Sequence, residues 1–203
     1  IVYHSAHGHT EHIARRVAEG ARSAETADVD VIRAEDLVRD ADRLLRYDGL
    51  ILGSPTYLGG VSAPFKSFMD ATGRLWRTQG LKGKLAAGFT VSSLPAGDKQ
   101  STLMSMFVFG MQHGMVWVGN PFLPEQHTGV PHEQAVNRLG SWSGLMAQAG
   151  HGAVGVQGGQ LLARQGGAQR RHRDQPAADV GGGRVHGQGV HRAFDDGQAG
   201  SFA

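Results

Sequence analysis

The sequence contains no cysteine among its 203 residues. That absence removes disulfides, zinc–thiolate centres, iron–sulfur clusters and thiol catalysis together. Any redox chemistry must then belong to a bound cofactor. Long apolar runs are missing too. Segments such as Gly49–Gly53 and Met115–Gly119 fall far short of the ~20 residues that a bilayer-spanning helix needs, so no membrane insertion is expected. Aromatics are sparse at 7%, and neither sign of charge dominates, with 20 Lys+Arg against 18 Asp+Glu. A net charge of only +2 is weak support for a nucleic-acid surface.

What is present suits one domain with a real core, followed by a break in composition. Residues 1–149 are read as the domain and 150–203 as a tail. The first 150 residues balance 14 basic against 14 acidic side chains. From residue 151 onward Gly, Arg, Gln and His dominate, and Lys, Glu, Ile, Tyr, Trp and Met disappear. With no helical or alternating apolar period, the tail reads as a disordered extension or as a shifted reading frame of a GC-rich gene. The chain opens on Ile1 inside an apolar run, which reads as a missing start. No basic and apolar leader precedes the domain, so a cytoplasmic location is expected.

Along residues 1–149 the apolar pattern alternates between strand and helix. Ile1–Ser5 reads as a strand, and Thr10 as the cap of a helix carrying Ile13, Ala14, Val17, Ala18 and Ala21. Val29–Ile32 is a second strand, Glu35–Arg46 a helix, and Gly49–Gly53 a third strand. Ser62–Thr72 and Gln100–Gln112 read as helices around a fourth strand, Leu85–Val91, and Met115–Val118 as a fifth. Strands without polar alternation need cover on both faces, which predicts a doubly wound α/β domain on a five-stranded parallel sheet.

Ligands of such sheets bind beyond the carboxyl ends of the strands. Three connections qualify. Ser5-Ala6-His7-Gly8-His9-Thr10 joins a flexible Gly, two hydroxyls and a helix N-terminus, a combination that suits a phosphate without Lys or Arg. Ser54–Gly60 and Ser92–Lys99 are hydroxyl-rich loops able to present backbone donors to a flat heteroaromatic ring. A plain Thr cap and two ordinary βα connections are the alternatives.

The pattern Ser5-x-x-Gly8-x-Thr10 after a strand resembles the phosphate loop of flavodoxin-like proteins, which bind flavin mononucleotide (FMN). The run Gly53-Ser54-Pro55-Thr56-Tyr57-Leu58-Gly59-Gly60 through Phe65-Lys66-Ser67-Phe68-Met69-Asp70-Ala71-Thr72-Gly73, then Leu75-Trp76, Gly83-Lys84-Leu85-Ala86 and Gln112-His113-Gly114-Met115, is similar to the WrbA-like NAD(P)H:quinone oxidoreductases. That branch includes NADPH-dependent FMN reductases. The resemblance covers about residues 1–148 and implies a flavodoxin-like fold whose final helix is here replaced by the atypical tail. It implies that Ser5, Ala6, His7, Gly8, His9 and Thr10 hold the FMN phosphate. Pro55, Thr56, Tyr57, Leu58 and Gly59, with Val91, Ser92, Ser93, Leu94, Pro95, Ala96 and Gly97, would line the isoalloxazine. His113 would contact the flavin as the catalytic residue, and Trp76 would pack near the substrate. His7 stands where the family has an aromatic residue near the nicotinamide nucleotide. The implied reaction carries a hydride from NAD(P)H through FMN to a quinone, in a homodimer or homotetramer whose neighbouring subunits complete the pocket.

Other readings compete. His4, His7, His9 and His12 are dense enough to suggest a metal, but strand, loop and helix aim them in different directions, so no metal is expected. Gly140-Ser141-Trp142-Ser143-Gly144 puts Trp where a nucleophile elbow needs Ser. Gly150-x-Gly152-x-x-Gly155 lacks the strand and helix of a dinucleotide fingerprint. A flavodoxin-type FMN electron carrier is the non-enzymatic alternative, although such carriers tend to be acidic and residues 1–150 are neutral. The branch's historical label of tryptophan-repressor binding finds no supporting residue.

Overall fold

A computed structural model describes residues 1–24 and 27–150. The expectations for the 150–203 tail, its nature and its replacement of a final helix, lie outside the described residues past Gly150.

Strand β1 (Val2–Tyr3) leads into helix α1 (His9–Arg22), then β2 (Ile32–Arg33), the short helix α2 (Ala34–Leu37) and a 3-10 segment, Ala41–Arg46. The central strand β3 (Gly49–Tyr57) turns into β4 (Gly60–Val61), followed by α3 (Ala63–Ala71) and α4 (Gly73–Thr78). Strand β5 (Leu85–Ser92), helix α5 (Lys99–Gln112), β6 (Val116–Trp117), a 3-10 turn at Glu125–Thr128 and β7 (Leu145–Gln148) complete the described chain. The sheet runs β2-β1-β3-β5-β6, with every pairing on this path parallel. β3 fills one edge of β5 along Leu85–Val91, while β6 pairs with Leu85–Ala86 and β7 with Phe89–Ser92 on the other. The last two therefore act as one interrupted fifth strand, and the expected five-position parallel sheet is present.

Both faces of that sheet are covered, which is why its strands are apolar without alternation. One face packs Leu50, Leu52, Ala86, Leu103, Met106 and the rings of Phe65, Phe68 and Phe109 into one cluster. The other packs Tyr3, Phe89 and Val91 against Ile13 and Ala14 of α1. No helix among the described residues is long and apolar enough to cross a membrane.

Several boundaries differ from the sequence reading. Thr10 is not the cap of α1: Gly8 is, at φ 84°, and Thr10 lies buried in the first turn. The helix read over 35–46 breaks into α2 and the 3-10 segment. The second connection is not a loop directly after Gly53, because β3 continues through Ser54, Pro55 and Thr56 to Tyr57. It then reverses in a two-residue turn, Leu58 (φ 47°) and Gly59 (φ 77°), into antiparallel β4. Two positive φ values in a row are what a tight hairpin turn demands, and a leucine in that position gave no sequence signal. Helix α4 and strand β7 were also not read from the sequence.

Candidate functional site

The C-terminal ends of β1, β3 and β5 bring the three expected connections together. Ser5–Thr10 leaves β1 and enters α1 with Gly8 in the left-handed region, and the Gly8 carbonyl accepts from the His12 N–H at 2.8 Å. The first N–H groups of a helix have no partner inside it, and here they open toward the loop. Ser5 is buried, and its Oγ has no hydrogen-bond partner. A buried hydroxyl left without a partner costs about 1–3 kcal/mol, so the loop is built to receive a hydrogen-bonding group. Glu11, the acid nearest this helix end, is held by Arg15 at 2.7 Å and Arg33 at 2.8 Å, which leaves the positive end of the helix dipole unopposed by a bare carboxylate.

Two buried polar networks fix this region from below. His4 Nδ1 and Ser62 Oγ lie 2.7 Å apart, Ser54 Oγ accepts from the Ser62 N–H at 3.0 Å, and His4 Nε2 faces Glu35 at 3.6 Å. This network ties the end of β1 to β3, α2 and the start of α3. Thr56 Oγ1 bonds to Thr90 Oγ1 at 2.7 Å and Thr102 Oγ1 at 2.8 Å, locking β3, β5 and α5 beneath the site. Sequence reading saw His4 as a member of a histidine cluster and missed the threonine triad, whose members are 34 and 46 residues apart.

The second connection is tied to the first turn of α5, just behind the third, because Ser101 Oγ donates to the Gly59 carbonyl at 2.5 Å. Their rim is apolar and open: Tyr57 is 44% exposed, Leu94 60% and Leu58 fully. Ser93, Pro95 and Ala96 are exposed with them, whereas Pro55, Thr56 and Val91 are buried below. The edge of β7 holds the third loop, with Gln148 Nε2 donating to the Ser93 carbonyl at 3.1 Å and the Ala149 N–H to the Ser92 carbonyl at 2.9 Å. His7 is exposed and His9 half-buried, and neither joins the His4 network.

His113 and Trp76 are placed elsewhere. His113 follows the last turn of α5, while the third loop precedes the first turn, so the 14-residue helix separates them by about 21 Å. His113 and Trp76, the latter 49% exposed, line a cleft with Thr72, Met104 and Val108. Thr72 Oγ1 donates to the Met69 carbonyl at 2.7 Å, so it accepts from His113 Nε2 at 3.0 Å. Nε2 thus carries a proton, and the ring packs edge-on against Phe109 with Nδ1 buried and unpartnered. The same cleft runs along α5 to Ser101 in its first turn.

Burial pushes the His113 pKa below its usual value. An unfolded imidazole takes up its proton near pH ~6.5, the folded one only at lower pH, so between the two the unfolded chain binds more protons. Stability is therefore expected to fall as the pH drops below about 6.5 and to level off beneath the folded pKa. Urea midpoints measured from pH 7.5 to 5 in the native chain and in His113→Gln should show this slope reduced in the variant. An identical slope would assign the effect to another group.

A parallel sheet in the order β2-β1-β3-β5-β6, with a lysine-free loop capped by Gly8 and two hydroxyl-rich connections at its carboxyl edge, defines a flavodoxin-like α/β protein. The chain matches the family described as NADPH-dependent FMN reductase over residues 3–128, and it belongs to that family. It is 36% identical to Flavodoxin FldP of Pseudomonas aeruginosa, over 73% of this chain and 79% of that one. It is 35% identical to an NAD(P)H dehydrogenase (quinone) of Archaeoglobus fulgidus, over 66% of this chain and 86% of the relative. Among solved structures, a flavodoxin, WrbA-like protein from Agrobacterium tumefaciens superposes with a TM-score of 0.57 at 31% identity, covering 84% of this chain and 96% of that one. The residues present fit an FMN: the unpartnered Ser5 hydroxyl and the Gly8-capped helix end suit its phosphate, and the open apolar rim suits its ring.

Proposed function

We propose that the chain binds FMN across its three connections and catalyses NAD(P)H + H⁺ + quinone → NAD(P)⁺ + hydroquinone. The observation that carries this reading is the convergence of the unpartnered Ser5 hydroxyl, the Gly8 turn and two donor-rich loops on one sheet edge. FMN held there would supply the redox chemistry, hydride acceptance and two-electron transfer. The protein's part is to hold and shield. Ser5, Thr10 and the first N–H groups of α1 bind the phosphate, as Ala6, His7, Gly8 and His9 shape its loop. Backbone donors of Thr56–Gly59 and Ser92–Gly97 face the ring, where they stabilise negative charge as it develops. Tyr57, Leu58 and Leu94 cover its flat surface and exclude water.

The same reading assigns Trp76 and His113 to the site of a second copy, because their cleft is open to the outside and lies toward the far end of α5 from the third loop. Trp76 on the exposed cleft would then wall the substrate space of the neighbour, with His113 behind it, in a homodimer or homotetramer.

The test is the visible spectrum of the purified chain after FMN addition and desalting, followed by anaerobic NADPH or NADH and then benzoquinone. Flavin bands that bleach with the nucleotide and return with the quinone are expected. Retained flavin that ignores both nucleotides would favour the electron-carrier reading, which the 36% identity to a flavodoxin keeps open. A folded chain that retains no flavin would overturn the assignment.

A further inference from the structure

We propose that Lys99 is a positioning residue whose buried ammonium turns the Leu94 carbonyl away from the flavin ring and, as a fixed positive charge beneath the third loop, favours reduced over oxidised FMN. This rests on the FMN-binding reading above. Lys99 opens α5 on the same stripe as Thr102, Leu103, Met106 and Phe109, and it is fully buried. Its Nζ donates to Ser92 Oγ at 2.8 Å and to the Leu94 carbonyl at 2.6 Å, both in the loop that walls the ring. Among the described residues it pairs with no carboxylate, and Asp98 beside it leaves the charge uncompensated.

That arrangement is costly as plain architecture. A buried ammonium without a counter-ion loses its hydration, and burial accordingly pulls the Lys99 pKa below its usual value. A glutamine could donate to the same carbonyl without a charge, and a leucine would extend the apolar stripe. The charge is explained by what lies above it. The Leu94–Pro95 peptide has no N–H, so its carbonyl is its only polar group and would repel an electron-rich ring if it faced outward. Lys99 holds that oxygen inward at 2.6 Å, together with Ser92 Oγ, which donates to it at 3.1 Å. The loop closes tightly over it: Gly97 sits at φ 52°, and a Cβ there would lie 2.2 Å from Ser92 Oγ. Reduced flavin carries more negative charge than oxidised flavin, and in a low-dielectric setting a nearby fixed cation stabilises the reduced form selectively.

The experiment uses the full chain loaded with FMN and measures the midpoint potential by dye equilibration, with the dissociation constant of oxidised FMN from fluorescence quenching. Lys99→Gln and Lys99→Met are expected to lose about tenfold of the preference for reduced FMN, a shift of about 30 mV toward more negative potential for a two-electron couple. Lys99→Arg keeps the charge and should stay near the native potential. Oxidised FMN should bind all three variants within about threefold of the native chain, because it gains least from the charge. A native potential in Lys99→Gln overturns the proposal, as does an equal shift in Lys99→Arg, which would make shape the cause. If Lys99→Met does not fold, the Gln and Arg variants decide alone, and loss of FMN by both also overturns it. A native chain that takes up no FMN would bring down the FMN reading itself, whereas equal potentials in FMN-loaded proteins bring down the Lys99 role alone.

Discussion

Valine at Gly8 is expected to weaken FMN binding on the order of ten- to a hundredfold, from the loss of a charge-assisted phosphate contact worth ~1.5–3 kcal/mol. Gly8 caps α1 at φ 84°, where a β-branched side chain is at its worst. To relieve the strain the loop must unwind, and unwinding turns the first N–H groups of α1 away from the phosphate. Gly129 is the matched control, since it also sits at φ 84° but closes the distant 3-10 turn of Glu125–Thr128. Gly129→Val should cost similar stability and leave FMN affinity unchanged, as read by fluorescence titration. Equal FMN affinity in Gly8→Val and the native chain would remove the phosphate from this loop.

Alanine at Gly53 should destabilise the fold by about 3 kcal/mol or more, at the upper end of what overpacking a core costs. The Phe89 ring lies flat over Gly53 on the neighbouring strand, and a Cβ there would stand 2.0, 2.4 and 2.7 Å from three of its carbons. Phe89 is 1% exposed and packs in one cluster with Tyr3, Ile13 and Ala14, so displacing its ring disturbs that packing. Against a total of ~5–15 kcal/mol for a domain, that loss is large. Urea titration should show a lower midpoint at unchanged slope. Gly60→Ala is the control, because nothing lies within 4 Å of its added Cβ.

Much of the fold is legible along the chain because it is periodic. The α1 stripe of Ile13, Ala14 and Ala18 and the continuous apolar run of β3 each satisfy a local rule, and both lie where those rules put them. Boundaries were lost where a tertiary partner overrode the local signal. Ser54-Pro55-Thr56-Tyr57 looks like a loop, yet β5 pairs with it as far as Pro55 and β4 with Thr56 and Tyr57. Leu145–Gln148 carries no strand signature of its own and is a strand only because β6 leaves the far half of β5 without a neighbour.

The site divides along the same line. Residue order alone determined the chemistry on offer: Ser5, Gly8 and Thr10 at one turn suit a phosphate, and the absence of cysteine rules out thiol chemistry. It also determined which connections lie at the carboxyl edge of the sheet, since that follows from strand order. Only the tertiary structure decided what supports them. The His4–Ser62–Ser54 network, the Thr56–Thr90–Thr102 triad and the Lys99 bridge to Ser92 and Leu94 join residues from separate elements, and a side chain's partners depend on where those elements pack. Likewise, His113 stands close behind the third loop in sequence, and it is the rigid length of α5 that carries it to the other end of that helix.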